Sequence, residues 1–149
     1  MHHRPLRALT SDNGHCASLF IRGLVIEAEI GAWPQERGRR QPIRLDLDLT
    51  VADRGDASDD LAQVVCYAAV ADRVRTVVAR GHINLVERLA HEIAGDLLLD
   101  TRILAVRIRI EKPQAIANAD AAGIVVRRSR SRAPAAASRR TGFPIDAQP

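Results

Sequence analysis

Ile43-Arg44-Leu45-Asp46-Leu47-Asp48-Leu49-Thr50-Val51 alternates apolar and polar side chains without a break. A period of two puts its apolar residues on one face and its polar residues on the other, as in a strand buried on one side. Upstream, Leu24, Ile26, Ala28 and Ile30 alternate with Val25, Glu27 and Glu29. Gly31 to Arg40 reads as a long polar turn joining these two strands into an antiparallel hairpin. Downstream the period changes. Val70, Val74, Val77 and Val78 share one face of a helix that stops at Arg80-Gly81. Leu85, Leu89, Ile93 and Leu97, joined by Ala90, Ala94 and Leu98, make a second amphipathic helix. Between strand and helix, Asp53 to Asp60 is a loop in which Ser58 is expected to cap a short turn leading into Asp59 and Asp60. Leu104, Val106, Ile108 and Ile110 then alternate with Ala105, Arg107, Arg109 and Glu111, and Gly123 to Arg128 complete a fourth strand.

The order β-β-α-α-β-β predicts an α+β domain, an antiparallel four-stranded sheet with two helices on one face. The other face carries Glu27, Glu29, Asp46, Asp48, Arg107 and Arg109 and is polar enough to be wet. A small sheet has open edges, which favours edge-to-edge association into a ring of subunits.

The chain has 149 residues and is 46% hydrophobic, enough for one domain with a sizeable core. Residues 1–17 are expected to form a disordered arm, 18–128 the folded domain, and 129–149 a flexible tail rich in Ala, Ser, Arg and Pro. Nothing resembles a signal peptide or a membrane span, so the expected compartment is the cytoplasm. Cys16 and Cys66 lack metal-type spacing and read as free thiols. The net charge of +4 lies in the two ends: from Ser18 to Arg128, 16 basic residues face 16 acidic ones. A neutral body with few aromatics lacks the footprint of a nucleic-acid groove. His2, His3, His15, His82 and His91 form no metal-ligand pattern, and no metal site is expected.

Among 22 basic residues one alone is lysine, Lys112, in Glu111-Lys112-Pro113 at the end of the third strand. Arginine stays protonated in proteins, whereas lysine can exchange its proton, so this position suits proton transfer. Glu36 in the first turn, Tyr67 at the start of the first helix and Glu87 at the start of the second are the other candidates for chemistry.

These residues fall in motifs that together resemble the dihydroneopterin aldolase family. The motifs are Leu19-Phe20-Ile21-x-Gly23-Leu24, Ile30-Gly31-Ala32-Trp33-x-x-Glu36-Arg37-x-x-Arg40-Gln41, Ser58-Asp59-Asp60-Leu61, Tyr67-Ala68, Asn84 to Ala90, and Glu111-Lys112-Pro113. The resemblance covers about residues 19–128. Two positions depart from the commoner pattern: Ile30 where a histidine often stands, and Cys66 before the tyrosine.

The resemblance implies the tunnelling fold, homo-tetrameric rings or stacked octamers, and no cofactor. It implies retro-aldol cleavage of 7,8-dihydroneopterin, with epimerisation as a side activity. Glu87 would hold the pterin edge, with the chain near Leu85 and Val86 at the ring oxygen. Val65 and Tyr67 would come from a neighbouring subunit. Lys112, Glu36 and Tyr67 would carry the proton transfers. An epimerase acting on dihydroneopterin triphosphate is the alternative, with Arg37, Arg39 and Arg40 toward the phosphates. A non-catalytic interaction module working through the Arg-rich tail is a third reading, and the neutral body speaks against it.

Overall fold

The unbroken alternation of residues 43–51 lies within a strand, β2 (Gln41–Ala52), whose inward residues Ile43, Leu45, Leu47 and Leu49 are fully buried. The computed structural model describes residues 15–53 and 58–130, so most of both expected tails lies outside the described residues. Around β2 are β1 (Cys16–Ala28), β3 (Ile103–Lys112) and β4 (Ala122–Ser129). All three pairings are antiparallel, in the order β1-β2-β3-β4. Two helices, α1 (Tyr67–Val78) and α2 (Val86–Leu97), cover one face: α1 against β1, and α2 against β3 and β4. The expected β-β-α-α-β-β order and the single helical layer are both present.

Four expectations need correction. β1 begins at Cys16, inside the expected arm, where Cys16 and Ala17 pair with Ala52 and Val51. Its alternation changes phase at Arg22-Gly23, which bulge opposite Asp46: Leu19 and Ile21 face the helices before the bulge, Leu24 and Ile26 after it. Gly23 supplies the positive φ of 66°, and its N–H donates to Asp46 at 2.8 Å. A bulge near Thr50/Val51 likewise puts Ile103, not Leu104, in the core. Ser58 is not the cap of the short turn at Leu61–Gln63; Asp60 is, its carboxylate accepting from the Ala62 N–H at 3.0 Å. Leu85 stands at the mouth of α2 and is 53% exposed, outside the core stripe of Leu89, Ile93 and Leu97.

The polar sheet face is knitted by cross-strand charges rather than left bare. Asp48 accepts from Arg22 at 2.5 Å and from Arg107 at 3.0 Å. Burial works to raise its pKa, but the two guanidiniums prevail and hold it below the ordinary carboxylate value.

The strand directions define two rims. One gathers the end of β1, the start of β2, the end of β3 and the start of β4, through the pairs Ala28↔Gln41 and Lys112↔Ala122. The loop before α2 joins this rim, because Ile83 bridges Ile30. The other rim holds Cys16, Ala52 and Ile103. The approach to α1 joins it there, where Arg102 donates to the carbonyl of Val64 at 3.0 Å.

Candidate active site

Lys112 and Glu36 are 76 positions apart in sequence and in contact in the fold. Lys112 is the last residue of β3; Glu36 ends a single 3-10 turn, Pro34–Glu36, in the loop between β1 and β2. Lys112 Nζ donates to Glu36 Oε1 at 2.6 Å, and the two side chains are only 14% and 17% exposed. The same oxygen accepts from Gln41 Nε2 at 3.1 Å, and Oε2 accepts from the Trp33 N–H at 3.2 Å. The hydrogen bond from Lys112 is the main cause of a Glu36 pKa drawn down from 4.5 to about 2; burial opposes it, and Gln41 and Trp33 add to it. Glu36 is thus an anchored anion beside a cation.

Gln41, a motif residue that sequence reasoning does not single out for chemistry, is central to this group. It is 4% exposed and donates to the Ile30 carbonyl at 2.6 Å as well as to Glu36. A signal for it was legible: Gln41 occupies the inward phase of β2, two residues before Ile43, and a polar side chain there needs partners. Gly31 is a second support of Glu36. Its φ of 141° is a glycine conformation, and any Cβ there would fall inside the Glu36 carboxyl group. Arg39 donates to Gln114 at 3.3 Å and ties the β1–β2 loop to the β3–β4 loop.

Glu87 stands on the same rim, in the first turn of α2, behind Leu85 and the partly buried Val86. Its carboxylate is exposed and has no hydrogen-bond or ion-pair partner among the described residues. It therefore presents a free acceptor next to the helix N-terminus.

Tyr67 and Val65 are not brought to this group. Both lie at the start of α1, on the opposite rim, and the 12 residues of that helix span about 18 Å. Val65 is buried beside a cleft of about 250 Å³ that Cys66, Leu61, Arg73 and Arg102 also line. Tyr67 is 69% exposed and has no side-chain hydrogen-bond partner among the described residues. Within one chain the candidate residues therefore fall in two separated groups: Lys112, Glu36 and Glu87 on one rim, and Tyr67 on the other. Among the described residues no group of three or more His, Cys, Asp or Glu is placed to hold a metal ion. No helix among them is long and apolar enough to cross a membrane.

A family model described as dihydroneopterin aldolase matches residues 19–127. A dihydroneopterin aldolase of Escherichia coli is 34% identical over 111 residues, covering 74% of this chain and 91% of the relative. One from Streptomyces coelicolor is 38% identical over 96 residues, covering 64% and 81%. A solved Escherichia coli dihydroneopterin aldolase in complex with neopterin superposes with a TM-score of 0.72 at 32% identity, covering 76% of this chain and 99% of that one. A Burkholderia dihydroneopterin aldolase bound to guanine gives 0.68 at 34% identity, covering 78% and 93%.

Proposed function

The chain belongs to the dihydroneopterin aldolase family, a lyase family of folate biosynthesis, and from that premise we propose which of its groups perform the cleavage. The substrate is 7,8-dihydroneopterin. Lys112 removes the proton of the side-chain 2′-hydroxyl. The bond between C1′ and C2′ breaks, C2′ leaves as the aldehyde carbon of glycolaldehyde, and the electron pair passes into the C=N bond of the pterin. The resulting enamine takes a proton at C1′ and becomes 6-hydroxymethyl-7,8-dihydropterin. Because the ring accepts the electrons, this route requires neither a Schiff base nor a metal.

The Lys112–Glu36 pair is the observation that carries this reading. The step starts from Lys112 as the free amine; once it has taken the hydroxyl proton it is the ammonium ion that pairs with Glu36, so the anchored carboxylate lies where that charge forms. Three fixed donors hold the carboxylate before the reaction, so little reorganisation is needed during it. Glu87 accepts two hydrogen bonds from the amide and amino edge of the pterin, a pairing its unengaged carboxylate suits. Backbone N–H groups near Leu85 and Val86 face the ring oxygen.

Tyr67 and Val65 complete the site from a second copy of the chain. Their place on the far rim supports this, since no rearrangement of side chains within one chain crosses the length of α1. β1 and β4 are the two edges of the sheet, and edge pairing between copies builds a ring, tetrameric or octameric. Closed rings of tilted strands are staggered, which shifts one copy along its neighbour. In this arrangement Tyr67 returns the proton to the enamine. Reclosure of the cleaved bond on its other face yields the 2′ epimer as a side product. For the triphosphate alternative, Arg39 donates to Gln114 and Arg40 lies 3.7 Å from Glu29, both at exposed positions, while Arg37 has no side-chain partner among the described residues.

Two measurements test the proposal. Product analysis after incubation with 7,8-dihydroneopterin, with and without EDTA, should show both products at the same rate. Tyr67→Phe and Lys112→Ala chains, each slow alone, should regain activity when co-assembled. Mixed oligomers that form without any gain would refute a shared site.

A further inference from the structure

The loop between α1 and α2 carries a polar side chain that the mechanism above leaves unused. His82 is partly buried, and its Nε2 stands 2.9 Å from the carbonyl oxygen of Gly31. A carbonyl only accepts, so the ring proton belongs on Nε2, and Nδ1 presents a lone pair. That Nδ1 is buried with no hydrogen-bond partner among the described residues. An unmet buried nitrogen is costly, so the contact with Gly31 is what the imidazole gains in this position.

Gly31 is the surface on which the Glu36 carboxylate rests, since a Cβ there would collide with it. Its N–H donates to the Ile83 carbonyl at 3.0 Å, and the Ile83 N–H donates to the Glu29 backbone carbonyl at 3.1 Å. Both polar groups of Gly31 are thus gripped by two consecutive residues, His82 and Ile83. The grip spans the turn that carries Glu36 and the loop that leads to Glu87.

We propose that His82 is a positioning residue for Glu36: it fixes the Gly31 carbonyl, and through the Gly31 backbone it sets where the carboxylate meets Lys112. Its effect on rate rests on the catalytic reading of Glu36 given above; its effect on geometry does not. Two substitutions separate these. His82→Phe keeps a ring without a donor, and His82→Gln returns an amide N–H near the place of Nε2. The Trp33 backbone amide and the Gln41 side-chain amide both donate to Glu36, so their NMR resonances report its position. They should move in His82→Phe and return toward wild type in His82→Gln. Single-turnover cleavage of 7,8-dihydroneopterin should fall about tenfold in the first variant, with affinity nearly kept, and recover in the second. Unmoved resonances in a folded His82→Phe protein overturn the proposal, as does equal damage in both variants. Moved resonances with unchanged turnover uphold the positioning and refute the catalytic role of Glu36 instead. Should His82→Phe fail to fold, ¹⁵N spectra of the wild-type imidazole decide: protonation on Nε2 supports the proposal, and protonation on Nδ1 overturns it.

Discussion

Replacing Gly31 by alanine should separate catalysis from binding. Gly31 has a φ of 141°, a conformation that costs a non-glycine residue about 1–3 kcal/mol. The added Cβ would also occupy the space of the Glu36 carboxyl carbon and both of its oxygens. Since Gly31 is held by His82 and Ile83, the carboxylate is the group that moves. Moving it breaks contacts to Lys112, Gln41 and Trp33, and one charged hydrogen bond alone is worth roughly 1.5–3 kcal/mol. The expected stability loss is about 3 kcal/mol, read as a fall in Tm on the order of 10 °C. Turnover should fall about a hundredfold, the low end for a misplaced proton-transfer group. Neopterin affinity should change far less, because Glu87 sits on a different element. Calorimetric titration and single-turnover cleavage measure the two effects. A double-mutant cycle with Glu36→Ala sharpens the test: the rate penalty of Gly31→Ala should vanish once the carboxylate is gone. A folded Gly31→Ala protein with wild-type turnover, or an undiminished penalty in the Glu36→Ala background, would refute the reasoning.

Glu87→Ala should lose substrate affinity by a few kcal/mol while the Lys112–Glu36 pair stays intact, and unchanged affinity in a titration would remove Glu87 from the pterin edge. Lys112→Arg should be nearly as slow as Lys112→Ala, because arginine keeps the charge but does not release its proton; near-wild-type cleavage by the arginine variant would leave Lys112 an electrostatic role only. The lowered pKa of Glu36 also has a signed consequence. Because the folded value, about 2, lies below the ordinary 4.5, the stabilisation is complete above pH 4.5 and is lost as pH falls toward 2. Unfolding of wild type and Glu36→Gln at pH 7 and pH 3 should show the gap narrowing at the lower pH, and a constant gap would contradict the assignment.

The sequence by itself determined which face each residue takes and where most elements lie. Alternation from Ile43 to Val51 specified β2, and Val70, Val74, Val77 and Val78 are the buried residues of α1 that their spacing predicts. Faces are legible because burial acts on each side chain separately and a strand or helix repeats it at a fixed period. The two bulges were hidden for the same reason: each shifts the phase by one residue, so the strand's start at Cys16 and the inward turn of Ile103 broke the pattern being read. Motifs singled out Glu36, Lys112, Glu87 and Tyr67, but periodicity says nothing about which end of a sheet a residue reaches. That was decided by strand order and direction, which set Lys112 2.6 Å from Glu36 and put Tyr67 a helix length away. The supports of Glu36 likewise exist only in three dimensions. Gln41, Gly31 and His82 act through hydrogen bonds and close approach between separate loops, and such contacts leave no repeat in the chain because each is made once.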